Sequence, residues 1–566
     1  YKRQQVIDAE NGKGTLPDNA VLLSFDDGYE TMYNVVFPLL KAYHYPAVFA
    51  PVTGWLDTPA NQKIAYADKM LDRSVFATWS QVKEMEQSGL VEVASHTHNL
   101  HNGINANPSG GQLPSVIAPE YKNGKYETED AYKNRLKSDF ARSVQTLVNH
   151  IGKKPRVMVW PYGQFNDVAV QLARQAGMPH YFSLGEKIIN KVGDKHIGRL
   201  LLNAETDLNT VKNYLDGIDE SKQIQRVLHV DLDYVYDADK AQQAKNLDKL
   251  IERIYRYGVT TVYLQAFSDP DGDGVADALY FPNKYLPVRD DIFGRIAWQL
   301  QTRAGVQVYA WMPVLAFDLR KSVKEAEYVI DSRTGKPSTK AYLRLSPYNK
   351  QNVEIIKSIY NDLSFYAKFN GILFHDDAFL TDFEGAEGNH AEGIVSPQAK
   401  QKTQDLIQLT HQLTDALKPY FLRGSYSLKT ARNLYASVIT NPNAEEWLAQ
   451  NLKTLTDNYD TTAIMAMPYM ENEQPISQEE AYQWFASLIE NVKAQAPLDK
   501  VLFEFQAVNW RTQKPIPESE LIDWMMLLQK NHIYSYGYYP DNFLTNQPDL
   551  NKMKPYFSVN TNAGKK

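Results

Sequence analysis

Two carboxylates stand side by side in Ser24-Phe25-Asp26-Asp27-Gly28-Tyr29, where the apolar run Ala20 to Leu23 ends. Neighbouring side chains on a strand point to opposite faces. Both aspartates can serve one cleft only where the strand stops and the chain turns, and Gly28 permits that turn. One carboxylate can then hold a metal while the other moves a proton. A strand-end turn closed by an Asx-type bond is the plainer reading of the same residues. Further along, Ser95-His96-Thr97-His98-Asn99-Leu100-His101 follows the apolar strand Leu90 to Ala94, in a chain with 12 His in all. A histidine cluster and a strand-end carboxylate together make a donor set for zinc or its first-row neighbours. A third segment, Val159-Trp160-Pro161-Tyr162-Gly163, joins a fixed proline to a glycine. Such a rigid turn can aim the Tyr162 N–H at a developing oxyanion.

Together these segments resemble the NodB-type polysaccharide deacetylases of carbohydrate esterase family 4. The resemblance implies a divalent metal (Zn, Ni, Co or Fe), Asp26 as general base and Asp27 as a metal ligand with two histidines. It also implies that the Pro-Tyr-Gly turn lines the substrate groove, with Tyr162 supplying the oxyanion contact and Trp160 beside it. The usual His-Ser/Thr-x-x-His pattern is widened here: His96-Thr97 opens it, the fourth position after His96 is Leu100, and the next histidine is His101. His96 and His101 are therefore chosen as ligands and His98 is left on the rim. The arginine that many members carry two residues before Pro-Tyr-Gly is Val159 here, so the partner of the base is expected to be missing. The late Leu-x-His motif has no clear counterpart, with His180 and His196 as weak stand-ins for the general acid.

The bulk properties fit such an enzyme. At 566 residues the chain is too long for one core. Charged content of 22% and hydrophobic content of 43% describe an ordinary globular protein. Aromatic content of 12%, with 36 Tyr and 9 Trp, suits both a well-filled core and surfaces that stack on sugar rings. A net charge of −7 argues against nucleic acid and favours a neutral or cationic ligand. The chain has no Cys. It starts at Tyr1 without a signal peptide, so an upstream signal or lipid anchor and an early strand and helix of the first domain are expected to precede it.

The expected class is α/β: a NodB-type barrel-like deacetylase domain over 1–217, a linker over 218–225, and a (β/α)8 barrel over 226–566. In the first domain, strands at 20–25, 46–51, 90–94 and 156–160 alternate with helical patterns, and 102–127 reads as a long loop. In the second, apolar runs at Val227–Tyr234, Thr260–Ala266, Val306–Pro313, Gly371–His375, Tyr420–Ser427, Ala463–Tyr469, Lys500–Ala507 and Tyr534–Tyr539 alternate with helical segments, the pattern of a (β/α)8 barrel. An open doubly wound sheet is the alternative, but there is no Gly-rich phosphate loop. Carboxylates and aromatics stand at the ends of these runs, where a barrel places its chemistry. The candidates are Asp376, Asp377 and Glu504 for acid and base work, and Asp231, Asp233, Trp311, Tyr469, Tyr536 and Tyr538 for sugar binding.

Val230-Asp-Leu-Asp-Tyr-Val-Tyr-Asp237, Pro270-Asp-Gly-Asp-Gly274, Tyr309-Ala-Trp-Met-Pro-Val314, Phe374-His-Asp-Asp377 and Tyr536-Gly-Tyr-Tyr-Pro-Asp541 resemble the C-terminal half of the PgaB/HmsF-type family. These are periplasmic poly-β-1,6-N-acetyl-D-glucosamine N-deacetylases of biofilm export systems. The resemblance implies the polymer as substrate, an outer-membrane export porin as partner, outer-membrane association and a monomer. It also implies a barrel that binds the partly deacetylated polymer and hydrolyses it, or only binds and guides it. Asp269-Pro-Asp271-Gly-Asp273-Gly274 imitates the start of an EF-hand loop, but Tyr280 stands where the bidentate Glu would be, so a structural loop is expected.

Overall fold

The structure, a computed structural model, describes residues 3–17, 20–184, 189–194, 196–203, 206–215, 224–338, 341–384, 395–423 and 427–560. The chain forms two compact units, Tyr1–Glu220 with Pro419–Ser427, and Ser221–Lys418 with Leu428–Lys566. Of the linker expected at 218–225, residues 218–223 lie outside the described residues. Among the described residues, no helix is long and apolar enough to cross a membrane.

The first unit is built on short parallel strands. In one sheet β1 (Leu23–Asp27) pairs with β2 (Ala47–Pro51), which pairs with β3 (Val91–Val93). In the other β4 (Val157–Val159) pairs with β5 (His180–Leu184), which pairs with β6 (Ile197–Arg199). A parallel bridge from Ser95 to Met158 links the two. The helix Glu129–Ile151 is capped by the Thr128 side chain and stopped by Gly152 in the left-handed region. It buries Tyr132, Leu136, Phe140 and Leu147 on one stripe. A capping box between Thr78 and Gln81 starts the helix Trp79–Gln87. The segment expected as a loop at 102–127 instead holds two small hairpins, Gly103–Asn105 with Gln112–Pro114 and Tyr121–Lys122 with Lys125–Tyr126.

In the second unit eight parallel strands close into a barrel. They are β7 (Arg226–Val230), β8 (Thr261–Gln265), β9 (Gln307–Met312), β10 (Gly371–Phe374), β11 (Lys429–Tyr435), β12 (Thr461–Ala466), β13 (Val501–Gln506) and β14 (Tyr536–Tyr539). Seven coincide with expected runs. The fifth does not: of the run expected at 420–427, residues 424–426 lie outside the described residues, 420–423 group with the first unit, and β11 follows. Side-by-side residues on neighbouring strands point to the same face. The register His229↔Tyr263, Tyr263↔Tyr309, Ala463↔Asn433, Met465↔Glu504 and Glu504↔Gly537 therefore defines the inward set.

Candidate active sites

In the first unit, β1 delivers both aspartates where it ends. Asp27 has φ 70° and Gly28 φ 100°, so the chain enters the left-handed region at the point where both carboxylates must share a cleft. A Cβ on Gly28 would come within 2.9 Å of Leu56 Cδ1 and 3.0 Å of Pro51 Cβ, so both the turn and the packing need glycine. Asp27 Oδ1 lies 3.4 Å from His96 Nε2 and 3.2 Å from His101 Nε2. The three ligand atoms all lie within 4.8 Å of one another. His96 Nδ1 is 2.7 Å from the Val159 carbonyl, which fixes that nitrogen as the N–H and leaves Nε2 its lone pair. One carboxylate oxygen and two imidazole nitrogens converging on one point fit a divalent first-row cation. Burial alone would raise the Asp27 carboxyl, but the bonds to His101 and His96 override it and hold it well below the usual range.

His98 stands apart from this group. Its Nδ1 lies 3.0 Å from Thr53 Oγ1, and its amide donates to Asp139 Oδ1 at 2.8 Å. The Asn99 amide donates to Asp139 Oδ2 at 2.7 Å, so one carboxylate on the long helix ties down the histidine loop. Burial pushes Asp139 up to about 6.

Asp26 has a cationic partner after all. Arg199, at the end of β6, donates Nη1 to Oδ1 at 2.8 Å and Nη2 to Oδ2 at 2.9 Å. The same guanidinium is braced by Ser24 Oγ at 2.9 Å and the Ser183 carbonyl at 3.2 Å. The expectation of a missing partner at Val159 is therefore corrected: the arginine comes from another strand, and Val159 serves His96 with its carbonyl. Sequence reasoning missed Arg199 because nothing local marks it.

Tyr162 has φ 58° and ψ 10°, is 41% exposed, and holds its ring 4.5 Å from that of His101. Gly163 lets the turn close on β5, since a Cβ there would sit 2.4 Å from the Leu184 nitrogen. Trp160 needs correction as a sugar-binding residue. It is fully buried, 5.9 Å from Phe140 and stacked 5.6 Å from Phe165, because it precedes the turn and points into the core. Of the acid stand-ins, His180 opens β5 at the end opposite the site, and His196 stacks on Tyr181 at 5.8 Å.

In the barrel, Asp376 lies just past β10. It accepts the Tyr342 hydroxyl at 2.9 Å, the Tyr435 hydroxyl at 2.8 Å, and His375 Nε2 at 3.0 Å. His375 is itself oriented by Trp311 Nε1, 2.8 Å from its Nδ1. Trp311 forms the centre of the mouth, with the rings of His229, Phe267 and Tyr539 at 5.3, 5.4 and 5.4 Å. Asp231 follows β7, is 8% exposed, and leaves Oδ1 without a hydrogen-bond partner. Burial first, then the Asp233 charge, pushes its carboxyl up to about 8.

The other barrel candidates are held differently from expectation. Asp377 is fully buried and accepts the amides of Val314 at 3.0 Å, Leu315 at 2.6 Å and Ala316 at 2.6 Å, so it fixes the loop after β9 and is not open to substrate. Glu504 faces inward at 1% exposure, with Oε1 2.6 Å from His229 Nε2 and Oε2 2.6 Å from Asn433 Nδ2. Both its oxygens are thus spent inside the barrel. Asp233 accepts Tyr280 Oη at 2.5 Å, the Asp269 amide at 3.1 Å and Arg289, which makes it the knot of the neighbouring loop, not a sugar ligand. Asp269, Asp271 and Asp273 cluster beyond it, with Asp269 accepting the amides of Gly272, Asp273 and Gly274. Tyr469 keeps part of its ring open while its hydroxyl bonds Glu520. Tyr536 and Tyr538 are corrected as well: both are fully buried on the outer face of β14, 5.6 and 5.3 Å from Phe557. Tyr539, one position on, faces the mouth and stacks on Trp510 at 6.1 Å. Tyr539 shares the inward face with Gly537, and the register of Gly537 against Val227 and Glu504 is what assigns it there.

Comparison with known proteins agrees with this division. Residues 13–181 match the family described as polysaccharide deacetylase, and residues 229–539 match the one described as hypothetical glycosyl hydrolase family 13. The chain is 40% identical over 581 residues to the poly-β-1,6-N-acetyl-D-glucosamine N-deacetylase of Escherichia coli K12, covering 98% of this chain and 85% of that one. It is 28% identical over 209 residues to the enzyme of the same name from Staphylococcus aureus, covering 37% of this chain and 62% of that one. The solved glycoside hydrolase domain of PgaB (BpsB) from Bordetella bronchiseptica superimposes with a TM-score of 0.54 at 38% identity, covering 60% of this chain and all of that one. With its deacetylase half, its hydrolase-like barrel and this near full-length match, the chain belongs to the poly-β-1,6-N-acetyl-D-glucosamine N-deacetylase family.

Proposed function

We propose that the first unit removes acetyl groups from poly-β-1,6-N-acetyl-D-glucosamine with the help of a divalent cation (Zn, Ni, Co or Fe) held by Asp27, His96 and His101. The observation that carries this is the convergence of Asp27 Oδ1 and the two Nε2 atoms beside a second carboxylate clamped by Arg199. A bound cation supplies Lewis acidity, polarising the acetamide carbonyl and lowering the pKa of a water. Asp26 accepts at Oδ the proton that the attacking water gives up, and the bidentate guanidinium keeps that carboxylate turned toward the cleft. The Tyr162 N–H donates to the oxyanion. The proton taken up by Asp26 then passes to the leaving nitrogen as the C–N bond breaks, which releases acetate and leaves a free amine on the polymer. The aromatic rings of Trp55, Tyr66 and Tyr162 pack 5.1, 5.9 and 4.5 Å from His101 and wall the site. The test is acetate release and bound metal measured together. Asp27→Ala and His101→Ala should lose both, and Asp26→Asn should keep the metal and lose turnover. If His98→Ala loses the metal while His101→Ala keeps it, the ligand set is wrong.

The barrel supports a second activity on the same polymer. Burial and the Asp233 charge favour the protonated form of Asp231 near neutral pH, whereas Asp376 accepts the Tyr342 and Tyr435 hydroxyls and lies 3.0 Å from His375 Nε2. A carboxyl whose surroundings keep its proton near neutral pH is suited to act as a general acid. In this reading Asp231 protonates the leaving oxygen, Asp376 faces the positive charge that develops on the sugar, and Trp311 and Tyr539 stack on the rings. Binding without cleavage is the alternative, and it predicts no new reducing ends. The family resemblance supports placing both activities in the periplasm at the outer membrane, in a monomer that hands polymer to an export porin.

A further inference from the structure

The cleft of the first unit is served by a hairpin whose role the activity does not by itself explain. Lys63–Tyr66 pairs antiparallel with Lys69–Asp72, and buried Ile64 pins the hairpin to the main core. Tyr66, which ends the first of these strands, reaches the group of Asp27, His96 and His101 and donates its hydroxyl to Asp27 Oδ2 at 2.8 Å. The ring packs on His101 at 5.9 Å, nearly parallel, and on Trp55 at 5.4 Å. Asp27 therefore uses its two oxygens differently: Oδ1 faces the two imidazole nitrogens and Oδ2 is held from outside the cluster. A carboxylate with a free second oxygen can rotate about its last bond or offer both oxygens to a cation. With Oδ2 bonded, it presents one oxygen in one orientation.

We propose that Tyr66 is a positioning residue that fixes Asp27 as a one-oxygen donor to the divalent cation. The proposal rests on the reading that Asp27, His96 and His101 hold that cation. Outer partners of ligating groups typically tune metal affinity by about 10- to 100-fold. Tyr66→Phe removes the hydroxyl, with its bond to Oδ2 and its contact with Tyr29, and keeps the ring; Tyr29→Phe, which removes only the Tyr29 side of that contact, serves as the control.

The experiment titrates zinc and cobalt into the metal-stripped full chain and records calorimetric affinity, the visible spectrum of the cobalt form and the thermal midpoint of the apo protein. Tyr66→Phe should bind both metals about 10-fold or more weakly. It should also alter the cobalt spectrum and leave the apo midpoint where wild type has it. Wild-type affinity with a wild-type cobalt spectrum overturns the proposal. So does a loss of affinity that comes with a fall in the apo midpoint, since hairpin packing would then be responsible. Failure of wild type itself to bind either metal, with Asp27→Ala indistinguishable from it, overturns the underlying metal reading instead.

Discussion

Arg199→Ala tests whether the clamp on Asp26 is part of the chemistry. The guanidinium gives Asp26 two charge-assisted bonds, at 2.8 and 2.9 Å, and is itself fixed by Ser24 and the Ser183 carbonyl. Bonds to charged groups contribute about 1.5–3 kcal/mol each. The Asp26 side chain is 27% exposed and the Arg199 side chain 11%, so solvent takes part of that away. A net orienting preference of about 3 kcal/mol corresponds to roughly 100-fold in rate if the freed carboxylate turns out of line. That lies within the range of about 10²–10⁴ that a positioned general base contributes. Arg199→Ala should therefore lower kcat for acetate release by roughly 100-fold, with Arg199→Lys falling less. Metal content should stay at the wild-type level, because Arg199 touches none of the three ligands. The decisive measurement is the double variant. If Arg199 acts through Asp26, Asp26→Asn/Arg199→Ala should be no slower than Asp26→Asn alone. Two losses that multiply, or an Arg199→Ala enzyme that turns over like wild type, would refute the reasoning.

Two further outcomes concern the barrel. Asp377→Ala orphans the buried amides of Val314, Leu315 and Ala316, at about 1–3 kcal/mol each. It should lower the barrel's unfolding midpoint by several degrees, and a wild-type midpoint with cleavage abolished would restore a catalytic role. For Asp231, burial and the Asp233 charge push the folded carboxyl up to about 8, from an ordinary value of 3.8. The native state thus holds the extra proton between those values, and stability falls as pH rises through that window, by about 6 kcal/mol at most. Asp231→Asn should remove that slope in denaturant titrations at pH 5 and pH 8. It should also abolish polymer cleavage while sparing an activated aryl glycoside, whose leaving group needs no acid. A slope that persists in the variant would show that another group carries it.

The two sites differ in how far sequence could reach them. Asp27, His96 and His101 were legible because their identities are chemically selective and His96 and His101 share one short loop. Arg199 was not, since it meets Asp26 across 173 residues and its neighbours Ile197 and Gly198 say nothing of a carboxylate. The barrel shows a different limit. Parallel barrel strands are buried on both faces, so hydrophobic alternation does not tell inside from outside. Tyr536, Tyr538 and Tyr539 are equally aromatic, and only the register of Gly537 against Val227 and Glu504 decides which of them faces the mouth. The fifth strand fails for the converse reason. Its inward residues Ala431, Asn433 and Tyr435 and its fully buried outward Arg432 make Lys429–Tyr435 read as a polar segment, whereas the apolar residues 420–423 before it group with the first unit. Asn433 is polar because it must satisfy Glu504, which His229 holds from the other side. A strand whose inward face serves a buried carboxylate cannot look like a core strand. Its polarity was the sign of the network it completes.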